Sequence, residues 1–355
     1  MTEKKNGLDK PQKQSDDPPV TSAGPDLLKR GKPPFETTDG KNFSRGMPPM
    51  KKKPPFGEGN FPDNFEMPKA DIAWVRRKYL DVPYANQSSS QKLDLYLPDE
   101  GDGPFPVIFY IHGGGWQIGD KRDGLLEPML NGIKRGYALV SINYRLSSEE
   151  IFPAQIYDVK TALRFIKGMA DEYFLDKGRV AAWGASSGGH LSALLGTSPG
   201  CPDLEDLSTG YADENTKVLA VIDWFGPAQD FLEMDSQLIE TGNGVPDHSL
   251  PQSPESCLLG EQITRVPELV KKASPMTYIT SDAPNFLIQH GYHDQLVPVQ
   301  QSIEFAAQLE KIAGKDRVTL DVFMDHVHHA DPYFSSDKNL ERVFAFLDQH
   351  LGKEI

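Results

Sequence analysis

A serine flanked by glycines separates an apolar run from a helical pattern, and this feature constrains the fold more than any other. The residues Gly184-Ala185-Ser186-Ser187-Gly188-Gly189 follow a predicted strand over 180–183 and precede a predicted helix over 191–195. The spacing G-x-S-x-G in this setting predicts a sharp, strained turn that projects the Ser186 Oγ above the edge of a sheet. A glycine-rich turn with an inert serine is the alternative interpretation.

Short apolar strands alternate with longer helices from residue 72 onward. Strands are predicted at 76–82, 93–97, 106–111, 137–142, 180–183, 218–223, 285–289 and 318–323, and helices at 154–173, 191–195, 298–312 and 340–351. The run over 106–111 is continuously apolar, as in a strand that is buried on both faces of a parallel sheet. This alternation predicts an α/β fold with a mostly parallel, doubly wound sheet. Residues 226–280, rich in Gly, Pro, Asp and Ser, predict an irregular insertion before the last two strands.

Residues 1–70 differ in composition from the remainder of the chain. They contain twelve prolines and 13 Lys or Arg against 10 Asp or Glu, and they lack a periodic apolar pattern. Such a segment cannot bury enough surface to offset its ordering entropy, so we predict a disordered or loosely packed extension ahead of a catalytic domain over 71–355. The alternative is a segment that packs over the domain or over its site.

Composition limits the partners and the cellular compartment. The 355 residues carry a net charge of −14, which disfavours nucleic acid and membrane surfaces as partners. Only two cysteines are present, Cys201 and Cys257, and two unpaired thiols suit a reducing compartment. No apolar run of signal-peptide or membrane-span length is found, so a cytoplasmic protein is predicted.

The glycine-rich loop over 112–116 is a candidate anion site. It reads His112-Gly113-Gly114-Gly115-Trp116 and follows the buried strand directly. Glycines at this point leave backbone N–H groups available to a developing oxyanion, so Gly114 and Gly115, together with Ser187, are the predicted donors. Trp116 is predicted to form a wall of the substrate pocket. A flexible loop without such a role is the alternative.

A nucleophilic serine needs a base, and the base needs a carboxylate. The predicted base is His329, within the cluster His326-Val327-His328-His329 after the last strand, and the predicted acid is Asp294, after the penultimate strand. The resulting order Ser…Asp…His is that of α/β-hydrolases. Asp223 is an alternative acid, and a metal site at the histidine cluster is a weaker alternative because no matching ligand set is evident. Structural roles are expected for four other histidines: His112, His190, His290 and His293.

Taken together, these motifs resemble the α/β-hydrolase esterases of the bacterial feruloyl and acetyl xylan esterase group, which are related to hormone-sensitive-lipase-like carboxylesterases and to kynurenine formamidase. The matching stretches are residues 112–116, 184–191, 225–227, 289–298 and 329–332, and the resemblance covers about residues 72–352. It implies that the histidine directly before Ala330, namely His329, is the base. In this chain His326-Val327-His328 replaces the small residues usual in that family.

The expected activity is hydrolysis of short-chain or aryl esters through a Ser-His-Asp acyl-enzyme mechanism without a metal or cofactor. Acetyl or feruloyl esters of plant saccharides are expected substrates, either as small molecules or as oligosaccharides. Hydrolysis of amides or formamides is the alternative within the same chemistry. A binding module on an inactive hydrolase fold is the alternative of another class.

Overall fold

A computed structural model of the chain describes residues 20–22 and 68–352. Within them, nine strands form one sheet in the order β1-β9-β8-β7-β6-β4-β5-β3-β2. The strands are β1 (Val20–Ser22), β2 (Arg77–Pro83), β3 (Lys92–Leu97), β4 (Phe105–Ile111), β5 (Ala138–Ile142), β6 (Leu175–Ala185), β7 (Ala220–Trp224), β8 (Asn285–Gly291) and β9 (Val318–Phe323). Strands β4 to β9 are parallel, while β1, β2 and β3 pair antiparallel with their neighbours. The predicted α/β class with a mostly parallel sheet is confirmed.

Helices cover both faces of this sheet. The described residues contain α1 (Glu127–Lys134), α2 (Ala154–Gly168), α3 (Ser187–Thr197), α4 (Met234–Thr241), α5 (Pro254–Leu259), α6 (Pro267–Ala273), α7 (Gln300–Ala313) and α8 (Asp337–Leu351). Apolar residues of α2, α3 and α7 pack in the core on one face, and those of α1 and α8 pack on the other. Strand β4 contributes alternate side chains to the two cores, as expected for a strand buried on both sides.

Helix α2 and the insertion show how the observed elements differ from the predicted ones. Helix α2 ends at Gly168 rather than at residue 173, because the chain turns before β6 and Phe174 has a φ of 58°, outside the helical region. The insertion predicted as irregular contains the short helices α4, α5 and α6. Its Gly and Pro residues bound these helices: Ser253 caps α5 ahead of Pro254, and Gly260 ends it with a φ of 74°.

Three residues of the proline-rich segment extend the sheet. Strand β1 pairs antiparallel with β9, and Val20 lies opposite Phe323. Residues 68–70 of the predicted extension over 1–70 are also described: Lys69 forms a β-bridge with Asp123, and Ala70 is buried. The prediction for residues 1–19 and 23–67 lies outside the described residues. Across the described residues, no helix combines the length and the apolar character that crossing a membrane requires.

Candidate active site

Ser186 lies at the junction of β6 and α3, where the chain turns sharply. Its φ of 57° and ψ of −125° are unfavourable for a residue with a side chain, and its N–H is held by the Trp224 carbonyl at 2.8 Å. Gly188 is required here, because a Cβ at that position would lie 2.1 Å from the Ile111 carbonyl oxygen. The strained turn therefore presents the Ser186 side chain at the carboxyl edge of the sheet, next to the N-terminus of α3.

His329 connects this serine to a carboxylate. Its Nε2 lies 3.1 Å from the Ser186 Oγ, and its Nδ1 lies 2.8 Å from the Asp294 Oδ2. The other two histidines of the cluster, His326 and His328, are exposed, and the His328 Nδ1 bonds to the His293 carbonyl. The structure thus brings together the serine, histidine and aspartate that the sequence predicts, with His329 as the histidine between them.

Asp294 is fully buried and accepts hydrogen bonds from four groups. Its Oδ1 accepts the N–H groups of Leu296 and Val297 at 2.8 and 2.9 Å, and its Oδ2 lies 2.8 Å from His329 and 3.2 Å from the His290 Nε2. Burial alone would raise the pKa of Asp294, but the adjacent imidazoles of His329 and His290 outweigh that effect and hold the pKa well below its usual value. Asp294 is therefore an anion, fixed in orientation, over the physiological pH range.

The alternative acid, Asp223, lies beneath the serine turn. Its Oδ1 accepts the Gly226 N–H at 2.9 Å, and its Oδ2 has no hydrogen-bond partner among the described residues, histidines included. Burial raises its pKa to about 6. This geometry gives Asp223 a role in holding the loop after β7, and it leaves Asp294 as the carboxylate that contacts His329.

The glycine-rich loop follows β4 and passes beside Ser186. Gly114, Gly115 and Trp116 have φ values of 107°, 60° and 57° in succession. The Gly114 carbonyl accepts the N–H groups of Gln117 and Ile118, which closes the turn. No acceptor for the N–H groups of Gly114 and Gly115 is found among the described residues. Available amides therefore lie next to the serine, as the sequence predicts for an oxyanion site.

A small cavity of about 50 Å³ opens at Ser186 and His329. Gly115, Trp116 and Ser187 line it, whereas Gly114 does not. One ordered water needs about 10–15 Å³, so this space has room for about four waters or for a short acyl group. The pocket is therefore narrow.

Trp116 forms part of the cavity wall but is only 2% exposed. Its ring packs against His190 and Phe231, with centroids 5.1 and 5.7 Å away. The residue leaves too little surface for a substrate ring to stack on it. Trp116 lines the cavity without offering a stacking platform.

The insertion supplies a buried histidine–carboxylate pair that sequence reasoning missed. His248 and Glu255 both line the cavity, with the His248 Nδ1 3.0 Å from the Glu255 Oε1. Burial would lower the pKa of His248, but the carboxylates of Glu255, Asp235 and Asp247 outweigh it and raise the pKa to about 9. The pair is thus an imidazolium next to a carboxylate. The only sequence signal was a histidine within an acidic stretch, which is too common to be informative.

Two further residues support the predicted base and acid. Phe225, in the stretch Phe225-Gly226-Pro227 after β7, packs its ring edge against His329 with centroids 4.6 Å apart. His290, expected to be structural, is buried beneath Asp294 and bonds to the Val297 carbonyl and to the Ser302 hydroxyl. Its position four residues before Asp294, at the end of a predicted strand, was the available signal.

Two of the other histidines expected to be structural, His112 and His190, contact backbone carbonyls. The His112 Nδ1 lies 2.8 Å from the Gly113 oxygen, and the His190 Nε2 lies 2.8 Å from the Ala273 oxygen. Burial lowers the pKa of both, that of His190 to about 4. Within residues 20–22 and 68–352, no group of three or more His, Cys, Asp or Glu side chains could hold a metal ion.

Comparison with known proteins identifies relatives of the same architecture. The family model BD-FAE matches residues 93–309. A probable carboxylic ester hydrolase, LipM of Mycobacterium tuberculosis, is 30% identical over 77% of this chain and 63% of its own length. Esterase LipQ of the same organism is 32% identical over 70% of this chain and 56% of its own length. The chain therefore spans less than two thirds of the length of these relatives.

A solved structure described as a truncated form of a carbohydrate esterase from gut microbiota has the same fold. It superposes with a TM-score of 0.69 at 28% identity, over 80% of this chain and all of the other. A bifunctional GH43-CE protein of Bacteroides eggerthii gives a TM-score of 0.68 at 32% identity, over 78% of this chain and 35% of that one. The fold is that of the α/β-hydrolases, and, with the model match covering more than half of its residues, the chain belongs to the BD-FAE family.

Proposed function

We propose that this protein is a serine carboxylesterase that uses Ser186, His329 and Asp294. The observation that carries the proposal is the continuous contact from the Ser186 Oγ through His329 to Asp294, with distances of 3.1 and 2.8 Å. A serine in a strained strand-to-helix turn, a histidine within reach and a buried anionic aspartate are the parts that acyl transfer requires. The names of the relatives, carboxylic ester hydrolase and esterase, support the same chemistry.

In the acylation step, His329 Nε2 removes the Ser186 proton as Oγ forms a bond to the ester carbonyl carbon. Asp294 stabilises the imidazolium that results and holds the proton on Nδ1. The tetrahedral intermediate then collapses, the bond to the alcohol oxygen breaks, and His329 returns its proton to the leaving alcohol. An acyl group remains on Ser186.

In the deacylation step, His329 takes a proton from water, whose oxygen attacks the acyl carbon, and the acid leaves as Ser186 regains its proton. In both steps the negative charge on the carbonyl oxygen requires donors. Gly115 and Ser187 line the cavity, and their amides are the proposed donors, with Gly114 as the third. Each such donor contributes about 3 kcal/mol to the transition state.

The substrates we propose are esters with short acyl groups on small molecules or on oligosaccharides. A cavity of about 50 Å³ favours acetyl to butyryl groups over longer chains. The solved relative described as a carbohydrate esterase supports esters of sugars as natural substrates. Among the two expected acyl groups, the narrow cavity favours acetyl over the larger feruloyl group. The cytoplasmic location stays a prediction from the sequence, based on the lack of a signal-length or span-length apolar run and on the two unpaired thiols of Cys201 and Cys257.

The test combines active-site labelling with one variant and one matched control. A fluorophosphonate should label Ser186 stoichiometrically, and Ser186→Ala should lose both the label and the hydrolysis of p-nitrophenyl acetate. Ser192→Ala is the control, because Ser192 lies on α3, the helix that follows Ser186, and its buried hydroxyl has no hydrogen-bond partner among the described residues. This control should keep both signals.

Two results would redirect the proposal. Faster turnover of a formanilide than of the matched phenyl ester would favour the amide or formamide hydrolase. Absence of labelling and of turnover in a folded wild-type protein would favour a binding module.

A further inference from the structure

The wall of the cavity opposite the glycine-rich loop comes from the insertion. Pro254, at the start of α5, approaches the loop so closely that a Cβ on Gly115 would lie 3.4 Å from the Pro254 Cβ. Glu255 follows directly and is 3% exposed. Glu255 therefore lines the same cavity as Ser186, Gly115 and Ser187.

The Glu255 side chain is fixed by its ion pair with His248. The His248 Nε2 bonds to the Leu296 carbonyl at 2.8 Å, and the His248 backbone N–H donates to the Asp235 Oδ1 at 2.9 Å. His248 thus joins the insertion to the loop that follows Asp294. A side chain held by these contacts keeps the Glu255 carboxylate in one orientation.

One carboxylate oxygen of Glu255 remains unused. Oε1 faces His248, whereas Oε2 is buried and has no hydrogen-bond partner among the described residues. Leaving a buried acceptor unsatisfied is unfavourable, so a donor must reach Oε2, and a donor on the substrate would replace cavity water there.

Trp116 provides the complementary group in the same cavity. Its indole Nε1–H is also buried without an acceptor among the described residues. A hydroxyl both donates and accepts, so its chemistry matches both Glu255 and Trp116, whereas an ammonium group has no acceptor for the indole and a carboxylate has no donor for Glu255. The charge on Glu255 is already compensated by His248, so the site does not require a cation.

We propose that Glu255 and Trp116 form a subsite that binds a hydroxyl group of the substrate and thereby selects hydroxylated esters over apolar ones of equal size. This inference rests on the proposed esterase function. Glu255 is a specificity-determining residue in this scheme, and the bond-making steps stay with Ser186 and His329. The hydroxyl belongs either to the acyl group or to the alcohol.

The experiment measures kcat/KM for two matched pairs of esters by titrating the released acid. Ethyl lactate against ethyl propionate tests a hydroxyl on the acyl side, and glycerol monoacetate against propyl acetate tests hydroxyls on the alcohol side. Each value is normalised to the alkaline hydrolysis rate of the same ester. The wild-type protein should prefer the hydroxylated ester in at least one pair.

Glu255→Gln removes the charge with little change of shape, and Glu255→Met removes the acceptors at similar length. In both variants the ratio of kcat/KM for the hydroxylated ester to kcat/KM for the apolar ester should fall about tenfold or more, because a hydrogen bond to a charged group is lost. Glu240→Gln is the matched control, since Glu240 lies on the same insertion, is exposed and does not line the cavity. Its ratios should equal those of the wild type.

Several outcomes would overturn the subsite. The first is a wild-type protein that prefers the apolar ester in both pairs, and the second is a set of Glu255 variants whose ratios are unchanged. The third is a loss of kcat/KM for acetylcholine in the Glu255 variants that equals the loss for the hydroxylated ester, which would indicate a cation site.

Hydrolysis of p-nitrophenyl acetate and fluorophosphonate labelling are followed in parallel. Their absence in the wild type refutes the esterase proposal, whereas their persistence with unchanged ratios refutes only the subsite. The wild-type ratios keep the test decisive if a variant does not fold.

Discussion

Asp294→Asn replaces one carboxylate oxygen by an NH₂ group. The side chain keeps its shape and loses its charge, so the substitution isolates the role of the buried carboxylate. The Asn carbonyl can still accept the Leu296 and Val297 N–H groups that now bond to Oδ1. The NH₂ group then occupies the place of Oδ2, facing the Nδ1 of His329 and the Nε2 of His290. At each of these contacts the NH₂ group would face the N–H of a histidine ring, so two donors would meet without an acceptor.

The expected loss of activity follows from the His329 tautomer. An Nδ1–H can no longer donate to residue 294, so the imidazole shifts its proton to Nε2, the atom that lies 3.1 Å from the Ser186 Oγ. A histidine with its proton on Nε2 cannot accept the serine proton. Losing the correct tautomer and the stabilisation of the imidazolium lowers kcat by on the order of 10⁴, or about 5 kcal/mol. Separately, the free energy of unfolding falls by ~1–3 kcal/mol, because hydrogen bonds to a buried charge are lost.

The assay is kcat for p-nitrophenyl butyrate at neutral pH, with urea unfolding measured on the same samples. Asp331→Asn is the matched control, because Asp331 lies on the His329 loop but accepts the Tyr333 N–H, away from the imidazole. This control should keep kcat within about threefold, since exposed or half-buried polar changes of this kind cost little.

The reasoning fails if the Asp294→Asn protein is folded and keeps more than about a tenth of the wild-type kcat, since a loss that small falls far short of the 10⁴ expected for the wrong tautomer. The imidazole would then have to be oriented by another group. Asp223→Asn would be the next variant, because Asp223 was the other carboxylate that the sequence offered.

Further outcomes concern the base, the pocket and pH. His329→Ala should reduce kcat as severely as loss of the serine, while His326→Ala and His328→Ala, both exposed, should change kcat little, all measured with p-nitrophenyl acetate. Across a series of p-nitrophenyl esters, kcat/KM should be highest from acetate to butyrate and fall steeply beyond about eight carbons; a rise toward palmitate would show an open pocket. The pKa of His248, raised to about 9 by Glu255 and its acidic neighbours from an ordinary value of 6.5, adds stability that is complete below pH 6.5 and disappears as pH rises through 9. Urea unfolding of His248→Gln should therefore show a deficit of about 3 kcal/mol at pH 6 that shrinks toward pH 9.5, and a deficit that grows with pH would contradict this.

Local patterns determined the parts of this protein that a few neighbouring residues specify. The apolar runs marked most strands of the sheet, and the strand from Val318 to Phe323 was placed with its observed bounds. The turn at Ser186 could be predicted because the glycines that permit it lie within a few residues of it. The order of Ser186, Asp294 and His329 was also accessible, since parallel strands bring their carboxyl ends to one edge of the sheet.

Short elements with capping residues were harder to predict. Gly242, Gly260 and Pro254 suggested irregular chain, yet they bound helices, because the same residue types end a helix and form a turn. Helix α1 has only eight residues, and its apolar face becomes evident only against the sheet. Local propensity is too weak to specify such elements without the surface on which they pack.

Tertiary structure alone decided which distant side chains share the cavity. His248 lies 48 residues before Leu296, whose carbonyl it contacts, and the burial of Trp116 depends on Phe231, from the insertion. No periodicity or motif encodes such pairs, because they result from the packing of an insertion against loops that come from other strands. The candidate nucleophile Ser186 could therefore be identified from local sequence, whereas the shape and polarity of the pocket around it are set by long-range packing.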